Sequence, residues 1–120
     1  NEYIENCLRT ENKSLPFSPT NGVSPRMEHA ILGIAGEAGE LVDVMKKSKI
    51  YSKPFDLVNV AEELGDVMWY ISIACDDLGI SYEAIWEKNI AKLKARYPEK
   101  YTDAKALNRD LTTERQILES

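Results

Sequence analysis

Apolar residues recur every three to four positions through most of this 120-residue chain, a spacing that predicts helices rather than strands. Residues 2–12 place Tyr3, Ile4, Cys7 and Leu8 on one face, a short amphipathic helix. Residues 13–24 carry turn chemistry in Ser14, Pro16, Ser18, Pro19, Asn21, Gly22 and Ser24. A long helix is then predicted from about Pro25 to Lys49, with Ser24 as N-cap and Pro25 as its first residue. Met27, Ala30, Ile31, Ile34, Leu41, Val42 and Met45 form its apolar side. Asp56 caps a third helix that continues to about Leu78, with Gly79 as its stop. Its apolar residues, among them Val58, Leu64, Val67, Met68, Trp69, Ile71 and Ile73, cover so much of the circumference that burial on more than one side is expected. Ser81 caps a fourth helix that ends at Tyr97-Pro98 and is expected to bury Ile85, Trp86, Ile90 and Leu93. Residues 99–120 are polar, with one weakly amphipathic stretch, and read as an arm or short helix lying on a neighbour. The predicted fold class is all-α: a four-helix bundle with an N-terminal helix and a C-terminal arm, one domain over residues 1–120 with its core in 25–98.

Composition narrows the partners. A net charge of −5 with no compensating basic stripe argues against nucleic-acid binding. No apolar run reaches membrane-span length, and Cys7 and Cys75 have no metal-ligand spacing. Cys75, in an apolar run, reads as a buried free thiol, so a reducing compartment and a soluble cytoplasmic domain are expected. At this length the core is modest and oligomerisation is a natural expectation.

The long and third helices carry the candidate chemistry. Glu37 and Glu40 lie three residues apart on one, Glu63 and Asp66 three apart on the other, so each pair shares a helix face. Both cross-pairings, Glu37 with Asp66 and Glu40 with Glu63, are centred midway between Tyr51 and Ser52, inside a turn formed by residues 48–55. Antiparallel helices through that turn bring four carboxylates level between axes about 8–10 Å apart. Such a concentration of negative charge requires a cation. All-oxygen ligands suit Mg²⁺, or Mn²⁺ in its place, better than Zn²⁺. The one histidine, His29, forms no Glu-x-x-His motif with an upstream acid, which argues against a ferritin-like di-iron centre, and it reads as a helix-surface or packing residue. Mg²⁺ held by carboxylates implies a phosphate-bearing substrate.

Groups complementary to phosphate are present. Asn89, Lys92 and Arg96 share one face of the fourth helix, and Tyr70, one turn beyond Asp66, is placed to pack on a base or ribose. Trp69, Trp86 and Tyr97 read as core or subunit-contact residues. No P-loop and no cysteine–histidine nucleophile is present, so attack falls to water. Three glycines in the long helix, Gly33, Gly36 and Gly39, cost about 1 kcal/mol each relative to alanine, a loss that close helix approach or room for a ligand would offset.

Three segments together carry a family resemblance: Gly36-Glu37-Ala38-Gly39-Glu40-Leu41, Glu63-Leu64-Gly65-Asp66-Val67-Met68-Trp69-Tyr70, and Asn89-Ile90-Ala91-Lys92-Leu93-Lys94-Ala95-Arg96-Tyr97-Pro98. They resemble the MazG-like nucleoside triphosphate pyrophosphohydrolases, the all-α NTP pyrophosphatases, in the style of short single-domain phage and bacterial members. The resemblance implies a homodimer or homotetramer, with Mg²⁺ on Glu37, Glu40, Glu63 and Asp66. It implies hydrolysis of an NTP or dNTP to the monophosphate and pyrophosphate, with Lys92 and Arg96 on phosphates and Asn89 and Tyr70 near the nucleotide. Glu40 or Glu63 would orient or deprotonate the attacking water. The alternative is a non-catalytic helical oligomerisation module whose acids pair with lysines at an interface.

Overall fold

The computed structural model describes residues 1–120. Six helices and no strand make up the chain: α1 (Glu2–Leu8), α2 (Pro25–Lys49), α3 (Leu57–Leu78), α4 (Tyr82–Arg96), α5 (Asp103–Leu107) and α6 (Leu111–Glu119). The all-α class predicted from periodicity is therefore the class observed. The chain divides into two compact units, Asn1–Gly79 and Ile80–Ser120.

Local chemistry sets the helix ends. The Ser24 hydroxyl accepts from the Met27 N–H at 3.0 Å, and the Asp56 carboxylate accepts from the Asn59 N–H at 3.0 Å. Each thereby satisfies one of the donors that a helix start leaves free. Gly79 ends α3 in the left-handed region, φ 69°, where a side chain is disfavoured. The first helix stops earlier than the expected residue 12. The Thr10 hydroxyl donates to the Cys7 carbonyl at 3.0 Å and ends the last turn, freeing Glu11 for contacts elsewhere.

Within the first unit α2 and α3 run antiparallel, and α1 lies on α3. Their far end is clamped. Ser24 donates to Asp77 at 2.8 Å, while Arg26 bonds Asp76 at 2.8 Å and the buried Glu11 at 2.7 Å. At the near end, Lys53 N–H donates to the Lys47 carbonyl at 3.1 Å. Midway, Gly33 faces the Tyr70 ring, and a β-carbon at position 33 would collide with it.

In the second unit α4 packs against α6. Glu114, 3% exposed, accepts from Arg96 at 2.7 Å and from Arg109 at 2.8 Å, and Lys88 donates to the Leu118 carbonyl at 3.2 Å. The tail, expected as an arm or one short helix on a neighbour, thus forms two short helices, the second lying on α4 of its own chain.

Burial departs from expectation. Ala30, Val44, Ile73 and both free thiols, Cys7 and Cys75, are buried. Several residues expected in the core are not: Ile31, Val42 and Met45 on α2, Val58 and Leu64 on α3, and Trp86 and Ile90 on α4 are each at least 48% exposed. The apolar stripes are wider than one chain covers. No helix is long and apolar enough to cross a membrane.

Candidate metal centre

The acids predicted to converge do so in large part. Carboxylate oxygens of Glu37, Glu63 and Asp66 all lie within 4.8 Å of one another, with Glu63 buried, Glu37 half-buried and Asp66 exposed. The antiparallel register explains the meeting, since it sets the Glu37 level of α2 against the Glu63–Asp66 turn of α3. Glu40, one turn further along α2, is exposed and stands outside this trio, although its charge still acts on Glu37.

Three carboxylates so close cannot all remain charged without help. The carboxyl of Glu37 is pushed up to about 7 by its hydrogen bond with Glu63, then by burial, then by the charges of Asp66, Glu63 and Glu40. Where no cation is bound, this crowding favours the protonated form of Glu37. Glu63 also accepts from the Asn59 side chain at 3.3 Å, which fixes it from within its own helix. The donor set is all oxygen, mixed in burial and open on the Asp66 side, and it fits a hard divalent cation of the Mg²⁺ or Mn²⁺ kind.

Beside the acids lies a cleft of about 340 Å³ lined by Glu37, Asp66, Trp69 and Tyr70. Tyr70 stands where its spacing from Asp66 predicted. Trp69, read from the sequence as a core or contact residue, lines the same cleft. Trp69 and Tyr70 meet edge-to-face, with ring centres 5.0 Å apart and planes at 86°, and His29 meets Tyr70 at 5.4 Å and 89°. The signal for Trp69 was present: it follows Asp66 by three residues, the same spacing that pairs the acids. His29 is a packing residue, as expected, with a buried Nδ1 that has no partner.

The remaining candidates sit in the second unit. Asn89 is exposed and Lys92 half-buried, both on α4. Arg96 is held by Glu114, with its Nε buried and unpartnered and its guanidinium stacked at 5.6 Å from the Tyr97 ring centre. Glu114, 18 residues beyond Arg96, was not anticipated, and no local spacing could have revealed it.

An all-helical protein with an oxygen-ligand cluster on two antiparallel helices is the class that fold and site define. The MazG nucleotide pyrophosphohydrolase domain model matches residues 26–101, and the chain belongs to that family. Gene 37 protein of Mycobacterium phage L5 is 30% identical over 76 residues, covering 58% of this chain and 65% of that protein. The chain thus spans just under two thirds of the length of that relative. No solved structure matches the chain.

Proposed function

We propose that this protein is a Mg²⁺-dependent pyrophosphohydrolase that converts a nucleoside or deoxynucleoside triphosphate to its monophosphate and pyrophosphate. The observation that carries the reading is the meeting of Glu37, Glu63 and Asp66 within a chain that matches the family over residues 26–101. Glu37, Glu63 and Asp66 are the groups to hold the cation, with Glu40 joining them or acting beside them. Mg²⁺, when bound, supplies positive charge to the triphosphate and makes a bound water more acidic. Glu40 is the better candidate to take the water's proton, because Glu63 is buried and already engaged by Glu37 and Asn59. Water attack cleaves the anhydride between the α- and β-phosphorus and leaves the monophosphate and pyrophosphate. Lys92 and Arg96 are assigned to the phosphates on the family resemblance, and Asn89 and Tyr70 to the nucleoside.

A homo-oligomer belongs to the same proposal. Ile31, Leu32, Val42, Met45, Leu64 and Met68 are each at least 43% exposed on α2 and α3, an apolar surface suited to a second copy.

The test is a panel of NTPs and dNTPs incubated with Mg²⁺, products separated by ion exchange. Monophosphate and pyrophosphate, abolished by EDTA, are expected. Orthophosphate as the first product would overturn the reaction class.

A further inference from the structure

The N-terminal segment is fastened beside the acid cluster at one atom that matters for the cleft. Thr10 Oγ1 accepts the indole N–H of Trp69 at 2.8 Å and donates its own proton to the Cys7 carbonyl at 3.0 Å. With the hydroxyl proton committed to Cys7, a lone pair of Oγ1 is left facing Trp69, so the rotor is fixed. Glu11, the next residue, anchors the segment: its side chain is 1% exposed and it binds Arg26 and Lys13 at 2.7 and 3.0 Å. Trp69 in turn meets Tyr70 edge-to-face, and the Tyr70 ring is seated against Gly33 and His29.

The cleft these rings border has acids, Glu37 and Asp66, as its other lining, and its 340 Å³ lies within the range of about 300–1,000 Å³ usual for small-molecule sites. With a divalent cation on its carboxylates the first lining would take negative charge, and the second offers aromatic rings. A ligand with a polyanionic end and a flat aromatic end matches both. Because Thr10 consumes the single donor of the indole, Trp69 can contribute stacking but no hydrogen bond to an aromatic ligand. Stacking of this kind tolerates any base.

We propose that Trp69 is the stacking surface for the substrate's nucleobase and that Thr10 is a positioning residue that holds the indole for it. The N-terminal segment therefore contributes base affinity through Trp69. This rests on the reading that the acids take the triphosphate end.

The experiment uses full-length protein carrying Trp86→Phe, which leaves Trp69 as the sole indole. It is titrated with α,β-imido-ATP and α,β-imido-dUTP in Mg²⁺ while Trp69 emission is followed, and turnover of the panel is measured in parallel. Both analogues are expected to quench Trp69. Trp69→Ala is expected to raise KM about ten-fold or more with kcat little changed, and Trp69→Phe to recover most of that loss. Thr10→Val, which keeps the shape and removes the acceptor, is expected to raise KM by a smaller factor across all bases. Mg²⁺–tripolyphosphate, which has no base, should inhibit wild type and Trp69→Ala equally. Turnover with unquenched Trp69, or with unchanged KM in Trp69→Ala and Thr10→Val, overturns the stacking role and leaves the hydrolase reading standing. Absence of both turnover and quenching in wild type overturns the hydrolase reading, and this proposal with it. If Trp69→Ala fails to fold, the quenching and the Trp69→Phe and Thr10→Val kinetics decide.

Discussion

Glu37 is the residue on which stability and function pull in opposite directions. Its carboxyl titrates near 7 in the folded protein against an ordinary value of 4.5, so between those values the folded state binds the extra proton. The contribution of Glu37 to the stability of the metal-free protein is therefore fully present below 4.5 and is lost as pH rises through about 7. Thermal unfolding in EDTA should show that decline, and millimolar Mg²⁺ should remove it, because a bound cation replaces the proton. A structural ion-pair cluster would show neither effect. Glu37→Gln cannot ionise, so its metal-free melting temperature should stay flat where wild type falls, while turnover is lost and helical circular dichroism is kept. A Glu37→Gln enzyme with normal turnover would falsify the assignment of the site.

The α2–α3 pair extends the same reasoning to whole elements, and glycine is where it can be tested. Gly33→Ala forces a β-carbon into Tyr70, whose ring is backed by His29 and Trp69 and has little freedom to move aside. Overpacking costs about 1–3 kcal/mol, against a helix-propensity gain of about 1 kcal/mol. A net loss of up to about 2 kcal/mol in denaturant unfolding is expected. Gly36→Ala meets no atom in the chain and should gain up to about 1 kcal/mol. A loss there instead would mean that a second copy or a ligand occupies the space beside Gly36. The sequence made the helix ends legible because Ser24, Asp56, Gly79 and Ser81 act within a few residues of themselves. It also made the acid register legible, since an antiparallel pair has one midpoint. It did not reveal that Gly33, rather than all three glycines, answers a close approach, because that depends on where Tyr70 stands. Nor did it reveal Thr10 on Trp69 or Glu114 on Arg96, contacts 59 and 18 residues apart in sequence.

For the molecule as a whole, the unread part was how much apolar surface one chain leaves uncovered. Periodicity identifies an apolar face but not how many neighbours share it. Ile31, Val42, Met45 and Leu64 obey the helical spacing and still face solvent. Their exposure supports association, so sedimentation velocity should give a mass at least twice the 13.6 kDa of the chain. Val42, 58% exposed, is a suitable probe: Val42→Glu should shift the population toward monomer without unfolding α2. A monomer in wild type at micromolar concentration would remove the second copy from the proposal.

The clamp at the far end of the helix pair has a consequence for how such a chain can change over time. Ser24 on Asp77 and Arg26 on Asp76 hold the register from the end opposite the connector. The stretch between Lys49 and Leu57 need only close the gap, and lengthening a loop raises its closure cost slowly. An added residue between Arg26 and Glu37 would turn Glu37 by about 100° and carry it out of the cluster. An insertion in the connector is thus expected to cost less than one in α2 ahead of Glu37, so the connector is the freer to drift while the helices that carry the acids are held to a fixed count.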